Sequence, residues 1–170
     1  MKVLFVLTSH ARVGETDRPT GVWIEELTTP YYAFIDAGAE VDLASIAGGE
    51  VPLDPGSMAE ADRPKSVSRF LADSLTVEKL RHSLKLDDLG PGSYDAIFLP
   101  GGHGTMWDLP MSSALADLLS AAFASGKVVA AVCHGPAGLV SARDGAGSPL
   151  VAGRKVSAFT NSEEEAAGLA

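Results

Sequence analysis

Three short runs of mainly apolar residues, 3–7, 94–99 and 127–132, constrain this chain most, and the second and third stop abruptly at residues that turn the backbone. Val3 to Leu7 is continuously aliphatic and aromatic, which suits a strand covered on both faces rather than one with a wet side. The second run ends at Pro100-Gly101-Gly102. The third and most apolar run ends at Cys133-His134-Gly135-Pro136. Between them lie helix-spaced segments. Residues 22–37 carry an amphipathic pattern closed by Gly38, with Pro30 expected to kink or divide the helix. Residues 112–124 read as a helix closed by Gly126, and 135–139 as one started by Pro136, whose missing N–H costs nothing in a first turn. Residues 40–46 and 155–159 supply two more strands, and short helices are expected over 65–72 and 77–84. Strands alternating with helices at these lengths predict a doubly wound, mostly parallel α/β sheet with helices on both faces, a flavodoxin-like sandwich. At 170 residues the chain fits one domain. The Gly-, Pro- and Asp-rich stretch 47–64 opens a surface insertion that extends to about residue 88.

Charge and composition remove several function classes. Lys and Arg number 13 against 22 Asp and Glu, a net charge of -9, which disfavours nucleic acid and anionic membrane surfaces as partners. The apolar run at the N-terminus is too short to span a membrane and has no signal-peptide cleavage pattern, so a cytoplasmic location is expected. A single cysteine excludes an internal disulfide. The four histidines form neither HxxxH nor HExxH, so no metal is expected.

Ligands of open α/β sheets bind beyond the carboxyl ends of the strands, and the unusual residues of this chain fall there. Ala131-Val132-Cys133-His134-Gly135 has the form of a nucleophile elbow: small residues two before and two after the thiol let strand and helix approach closely. A helix N-terminus beneath Cys133 is expected to favour its thiolate. The ordinary alternative is a buried structural cysteine. Pro100-Gly101-Gly102-His103-Gly104 can aim backbone N–H groups at a ligand, offering half of an oxyanion hole with the N–H of His134 as the other half. It is neither a P-loop nor a GxGxxG fingerprint. His134 is the nearest base for Cys133, although consecutive side chains usually diverge. Glu163, Glu164 and Glu165 each offer a carboxylate to orient it, while Ser162 with Glu165 also fits a capping box. Of Glu25 and Glu26, one can face the core, and a carboxyl buried beside a thiolate would have a raised pKa and donate to sulfur.

Jointly, Leu7-Thr8-Ser9, Thr20-Gly21-Val22-Trp23-Ile24-Glu25-Glu26, Pro100-Gly101-Gly102-His103-Gly104-Thr105, Val129-Ala130-Ala131-Val132-Cys133-His134-Gly135-Pro136 and Phe159-Thr160-Asn161-Ser162-Glu163-Glu164 resemble the PfpI branch of the class I glutamine-amidotransferase-like superfamily. The group resembled is that of heat-shock chaperones and glutathione-independent glyoxalases (glyoxalase III). The resemblance implies Cys133 as nucleophile, His134 as its base, Glu164 as triad acid and Glu26 as the carboxyl on sulfur. It implies oxyanion donors at Gly102 and His134, with Gly101 and His103 beside them. The implied activity is conversion of a small 2-oxoaldehyde, methylglyoxal, to lactate without a cofactor, with protein deglycase activity as an extension. Alternatives are a stress-response chaperone or redox sensor, and a cysteine amidase or peptidase. A homodimer is implied. Relatives of this kind carry a closing helix and strand past the triad acid that this sequence, ending at Ala170, does not show.

Overall fold

The computed structural model describes residues 1–59 and 63–168; positions 60–62, within the loop expected over 47–64, and 169–170 lie outside the described residues. Five strands form one all-parallel sheet in the order β3-β2-β1-β4-β5, with β1 Lys2–Leu7, β2 Glu40–Ser45, β3 Leu84–Lys85, β4 Ala96–Leu99 and β5 Val128–Ala131. Leaving aside the two-residue β3, the order reverses between β1 and β4, whose carboxyl ends therefore open the switch-point crevice.

β1 shows why this sheet must be covered twice. Val3, Phe5 and Leu7 face a core built with Ile24, Leu27 and Tyr31 of α1 (Ile24–Asp36) and with Val67, Phe70 and Leu80 from α2 (Lys65–Ala72) and α3 (Ser74–Arg81). Leu4 and Val6 face the opposite core, built with Leu109 after α4 (Thr105–Asp108) and with Leu115, Leu118, Leu119 and Ala122 of α5 (Ser113–Ala124). All five residues of 3–7 are fully buried, so period-2 alternation distributes them between two cores rather than between core and water.

Three expectations are corrected. Pro30 does not divide α1, which runs unbroken because Ile24, Leu27, Thr28, Tyr31 and Tyr32, on both sides of the proline, are buried. Residues 135–139 form a single 3-10 helix, not an α-helix. Residues 155–159 form no strand; their one backbone tie to the elbow is Phe159 N–H to the Cys133 carbonyl at 2.9 Å. Strand-like composition needs a ladder partner to become a strand, and β5 remains the edge of the sheet. A short helix, α6 (Asn161–Ala167), follows.

Candidate active site

Cys133, two residues beyond β5, sits at φ 56°, the one left-handed residue other than glycine among the described residues. Such a conformation costs an L-residue about 1–2 kcal/mol, and it turns the side chain out of the strand direction. The elbow is held by Val132 N–H to the Leu99 carbonyl at 3.1 Å and Gly135 N–H to the Val132 carbonyl at 2.7 Å. Gly135 has to be glycine because a Cβ there would run into the Leu99 carbonyl. At the end of β4, a Cβ on Gly101 would lie 2.6 Å from Glu26 Oε2, 2.8 Å from Cys133 Cβ and 2.8 Å from the His134 nitrogen. The absence of a side chain at Gly101 is what lets α1, β4 and the elbow converge on the sulfur.

The strained φ also overcomes the ordinary divergence of neighbouring side chains. Cys133 Sγ lies 3.1 Å from His134 Nδ1, and His134 Nε2 lies 2.6 Å from Glu164 Oε1. The second oxygen of Glu164 takes His103 Nε2 at 2.8 Å. An ionised carboxylate only accepts, which assigns a hydrogen to Nε2 of both rings and leaves His134 Nδ1 as the acceptor facing the thiol. The Phe159 ring stacks on His134 with centroids 4.3 Å apart, fixing the imidazole plane from the other side. Thr160 and Glu163 form the capping box of α6, correcting the expected Ser162–Glu165 pairing. Glu163 is thereby used up on the backbone of Thr160, and Glu164 is the acid that reaches the imidazoles.

Glu26 and Cys133 are set against each other. Glu26 Oε2 accepts the Gly101 N–H at 2.9 Å, and carboxyl and cysteine face each other across the space a Cβ on Gly101 would take, 2.6 Å from Glu26 Oε2 and 2.8 Å from Cys133 Cβ. Burial pushes the Glu26 carboxyl above its ordinary range, against the hydrogen bonds from Cys133 and Gly101. Burial, followed by the charge and hydrogen bond of Glu26, pushes the Cys133 thiol up to about 12, against the lowering effect of the Gly102 and His134 backbone N–H groups aimed at it. The expected preference for thiolate is therefore reversed while Glu26 is ionised, since a five-residue 3-10 helix offers little dipole to oppose a buried carboxylate. While Glu26 is ionised the sulfur keeps its proton, and moving that proton to Glu26 or His134 is what frees the nucleophile. Burial holds His134 below its usual pKa despite the upward pull of Glu164, so the ring is neutral and able to receive that proton. For Glu164, burial acts upward but the hydrogen bonds from His103 and His134 win, keeping it an anion.

All seven residues expected at the site, Glu26, Gly101, Gly102, His103, Cys133, His134 and Glu164, thus meet in one place. Five of them, Glu26, Gly102, His103, Cys133 and His134, border a cavity of about 360 Å³ to which Val13, Arg18, Trp23, Asp54 and Phe159 also contribute. Trp23 and Phe159 stood inside recognised motifs without an assigned part. Arg18 and Asp54 come from loops with no pattern to reveal them. The ligand atoms of His103, His134 and Glu164 lie within 4.8 Å of one another, a spacing a metal ion can bridge, but each imidazole Nε2 already has the carboxylate as its partner.

A thiol on a strained elbow, at the carboxyl edge of a parallel sheet and in line with an imidazole and a carboxylate, defines a doubly wound α/β protein equipped for cysteine chemistry. Within that class the chain belongs to the DJ-1/PfpI family, whose model matches residues 20–167. It is 36% identical over 180 residues to the glutathione-independent glyoxalase HSP31 of Saccharomyces cerevisiae, covering 99% of this chain and 72% of that protein. Glyoxalase 3 of Candida albicans is 34% identical over 174 residues, with 99% and 73% covered. The X-ray structure of the Francisella tularensis Rapid Encystment Protein 24 KDa superposes with a TM-score of 0.93 at 40% identity, over 99% of this chain and 74% of that one.

Proposed function

We propose that this protein is a glutathione-independent glyoxalase that converts methylglyoxal and related 2-oxoaldehydes to 2-hydroxy acids on Cys133. The observation that carries the proposal is the unbroken line from Sγ to His134 Nδ1 at 3.1 Å and from Nε2 to Glu164 at 2.6 Å, opening on a cavity. The glyoxalase names of the curated relatives support the choice of substrate.

The chain's own groups suffice for the reaction. Cys133 gives its proton to His134 or Glu26, and its sulfur attacks the aldehyde carbon, forming the S–C1 bond of a hemithioacetal. The N–H groups of Gly102 and His134, aimed at the sulfur's surroundings, hold the oxyanion that develops there. The sulfur's proton passes on to that oxygen, leaving His134 Nδ1 free to remove the hydrogen of C1 as a proton and return it to C2 as the C1 hydroxyl proton moves to the C2 oxygen, while Glu164 stabilises the imidazolium in between. C1 is thereby oxidised from aldehyde to thioester as C2 is reduced from ketone to alcohol. Water cleaves the thioester, releasing the hydroxy acid and restoring the thiol. The electrons stay within the substrate, so the balance calls for no external oxidant or reductant.

Wild-type protein and Cys133→Ala, given methylglyoxal without glutathione, test this directly by lactate release. Lactate from wild type alone is expected; client-protein protection by both variants with no lactate would instead support a stress chaperone. No helix among the described residues is long and apolar enough to cross a membrane. We infer a homodimer on the strength of the family resemblance, with light scattering on the purified protein as its check.

A further inference from the structure

Methylglyoxal leaves most of this cavity unfilled. The space beside Cys133 measures about 360 Å³, whereas three carbons and two oxygens take up roughly the room of two or three water molecules at about 30 Å³ each. The remainder is bounded in part by Val13 and Arg18, which enter from the loop between β1 and α1. That loop is closed as a hairpin. Arg12 and Pro19 bridge in antiparallel fashion, Thr20 N–H bonds the Ala11 carbonyl at 3.0 Å, and Val13 N–H bonds the Arg18 carbonyl at 3.0 Å. The backbone of Arg18 is therefore held in place beside the cavity.

Six of the seven arginines have an acceptor for their guanidinium. Arg12 has Asp17, Arg69 has Asp36 and Arg81 has Glu78. Arg63, Arg143 and Arg154 bond carbonyl oxygens. Arg18 alone has none among the described residues, although two carboxyls line the same cavity. Both of those are engaged: Glu26 with the Gly101 N–H at 2.9 Å, and Asp54 with the Gly56 N–H at 2.8 Å and the Thr20 hydroxyl at 2.9 Å. In a chain of net charge -9, Arg18, an exposed residue, thus lines the same cavity as Cys133 with its guanidinium donors unpaired.

We propose that Arg18 receives an anionic group at the far end of the substrate's carbon chain, so that the site takes 2-oxoaldehydes ending in a carboxylate. A guanidinium presents paired donors that match a carboxylate. Phosphate would fit the same donors, but its second charge would be repelled more strongly by Glu26 and Asp54. The inference rests on the glyoxalase reading for its chemistry, which is unchanged: the aldehyde carbon is oxidised, the adjacent ketone is reduced, one water is consumed, and the distal carboxylate takes no part.

The test compares 4,5-dioxopentanoate with 2-oxopentanal, which has the same chain length and a methyl in place of the carboxylate. A charge-assisted contact at a partly solvated site predicts about a tenfold higher kcat/KM for the acid, carried mainly by KM. Arg18→Gln brings the ratio close to one, and Arg18→Lys restores part of it. A wild-type ratio of one or below, or a ratio that Arg18→Gln leaves intact, overturns the inference. A second readout needs no turnover: 4-oxopentanoate, which lacks the aldehyde, protects Cys133 from iodoacetamide in wild type and several-fold less in Arg18→Gln. If neither aldehyde is converted, the glyoxalase reading falls and protection alone decides; equal protection of both proteins refutes the anion site.

Discussion

Replacing Glu164 by glutamine or by alanine tests which nitrogen of His134 carries the hydrogen. In the wild type the carboxylate accepts from His134 Nε2 at 2.6 Å and from His103 Nε2 at 2.8 Å, which turns the bare Nδ1 toward Sγ at 3.1 Å. Glu164→Ala deletes a charge-assisted bond worth about 1.5–3 kcal/mol. At tenfold per 1.4 kcal/mol that is roughly a 10- to 100-fold loss in kcat/KM, with water free to enter beside a carboxylate site that is already one-fifth exposed. Glu164→Gln retains the volume but offers an amide whose N–H₂ donates. The amide oxygen can accept from only one of the two rings; with the N–H₂ facing His134, that ring must move its hydrogen to Nδ1, and the group facing the thiol then becomes a donor unable to accept the sulfur's proton. Placing a histidine base in the wrong tautomer costs on the order of 10³- to 10⁴-fold in a comparable triad. The assay is lactate release from methylglyoxal at saturating and limiting substrate, with circular dichroism to establish that both variants are folded. Activity of both variants within threefold of wild type would refute the assignment of His134 as base and Glu164 as its orienting acid.

Two further outcomes follow from the packing and the charges. Gly135→Ala drives a methyl into the Leu99 carbonyl, backbone that cannot rotate away; overpacking of this kind costs about 1–3 kcal/mol, and thermal unfolding of the variant should show a Tm lower by on the order of 5 °C. Acid weakens the fold through two groups of the same sign. His134 is held below its ordinary pKa of 6.5, so the unfolded chain binds that proton first and stability is lost as pH falls through and below 6.5. The pKa of Glu164 is likewise depressed, so its contribution, present above the ordinary carboxylate range, disappears as pH falls through its folded value. A Tm that is flat or rises between pH 7 and pH 4 would contradict both.

Much of this site was legible because its residues sit where short apolar runs break. The ends of β4 and β5 were marked by Pro100-Gly101-Gly102 and Cys133-His134-Gly135, and the double coverage of β1 by an uninterrupted apolar stretch. Choosing among the acids was harder. Glu25 and Glu26, and Glu163 to Glu165, are neighbours of equal chemistry, and only the family pattern separated them. Their separation is made by three-dimensional facts: the Gly101 N–H available to Glu26, and the Thr160 cap that takes up Glu163. The failed strand over 155–159 had suitable residues and no ladder to join, a non-local condition that composition does not carry. The reversal at Cys133 has the same origin. Elbow geometry was visible in the small residues around the thiol, whereas the opposing field of Glu26 depends on a helix a hundred residues away in sequence being packed against it. Arg18 stands in a loop whose hairpin closure leaves no periodic trace.

The rate of Cys133 alkylation by iodoacetamide, followed against pH in wild type and in Glu26→Gln, tests the central claim that a buried, ionised carboxyl keeps the proton on sulfur. The ionised Glu26 carboxyl and burial together hold the wild-type thiol up, at about 12, and a neutral amide that donates to sulfur removes the charge and favours thiolate. Reactivity in the variant is therefore expected to rise at distinctly lower pH than in wild type. Coincident profiles for the two proteins, each with the midpoint of an ordinary free cysteine near 9, would contradict it.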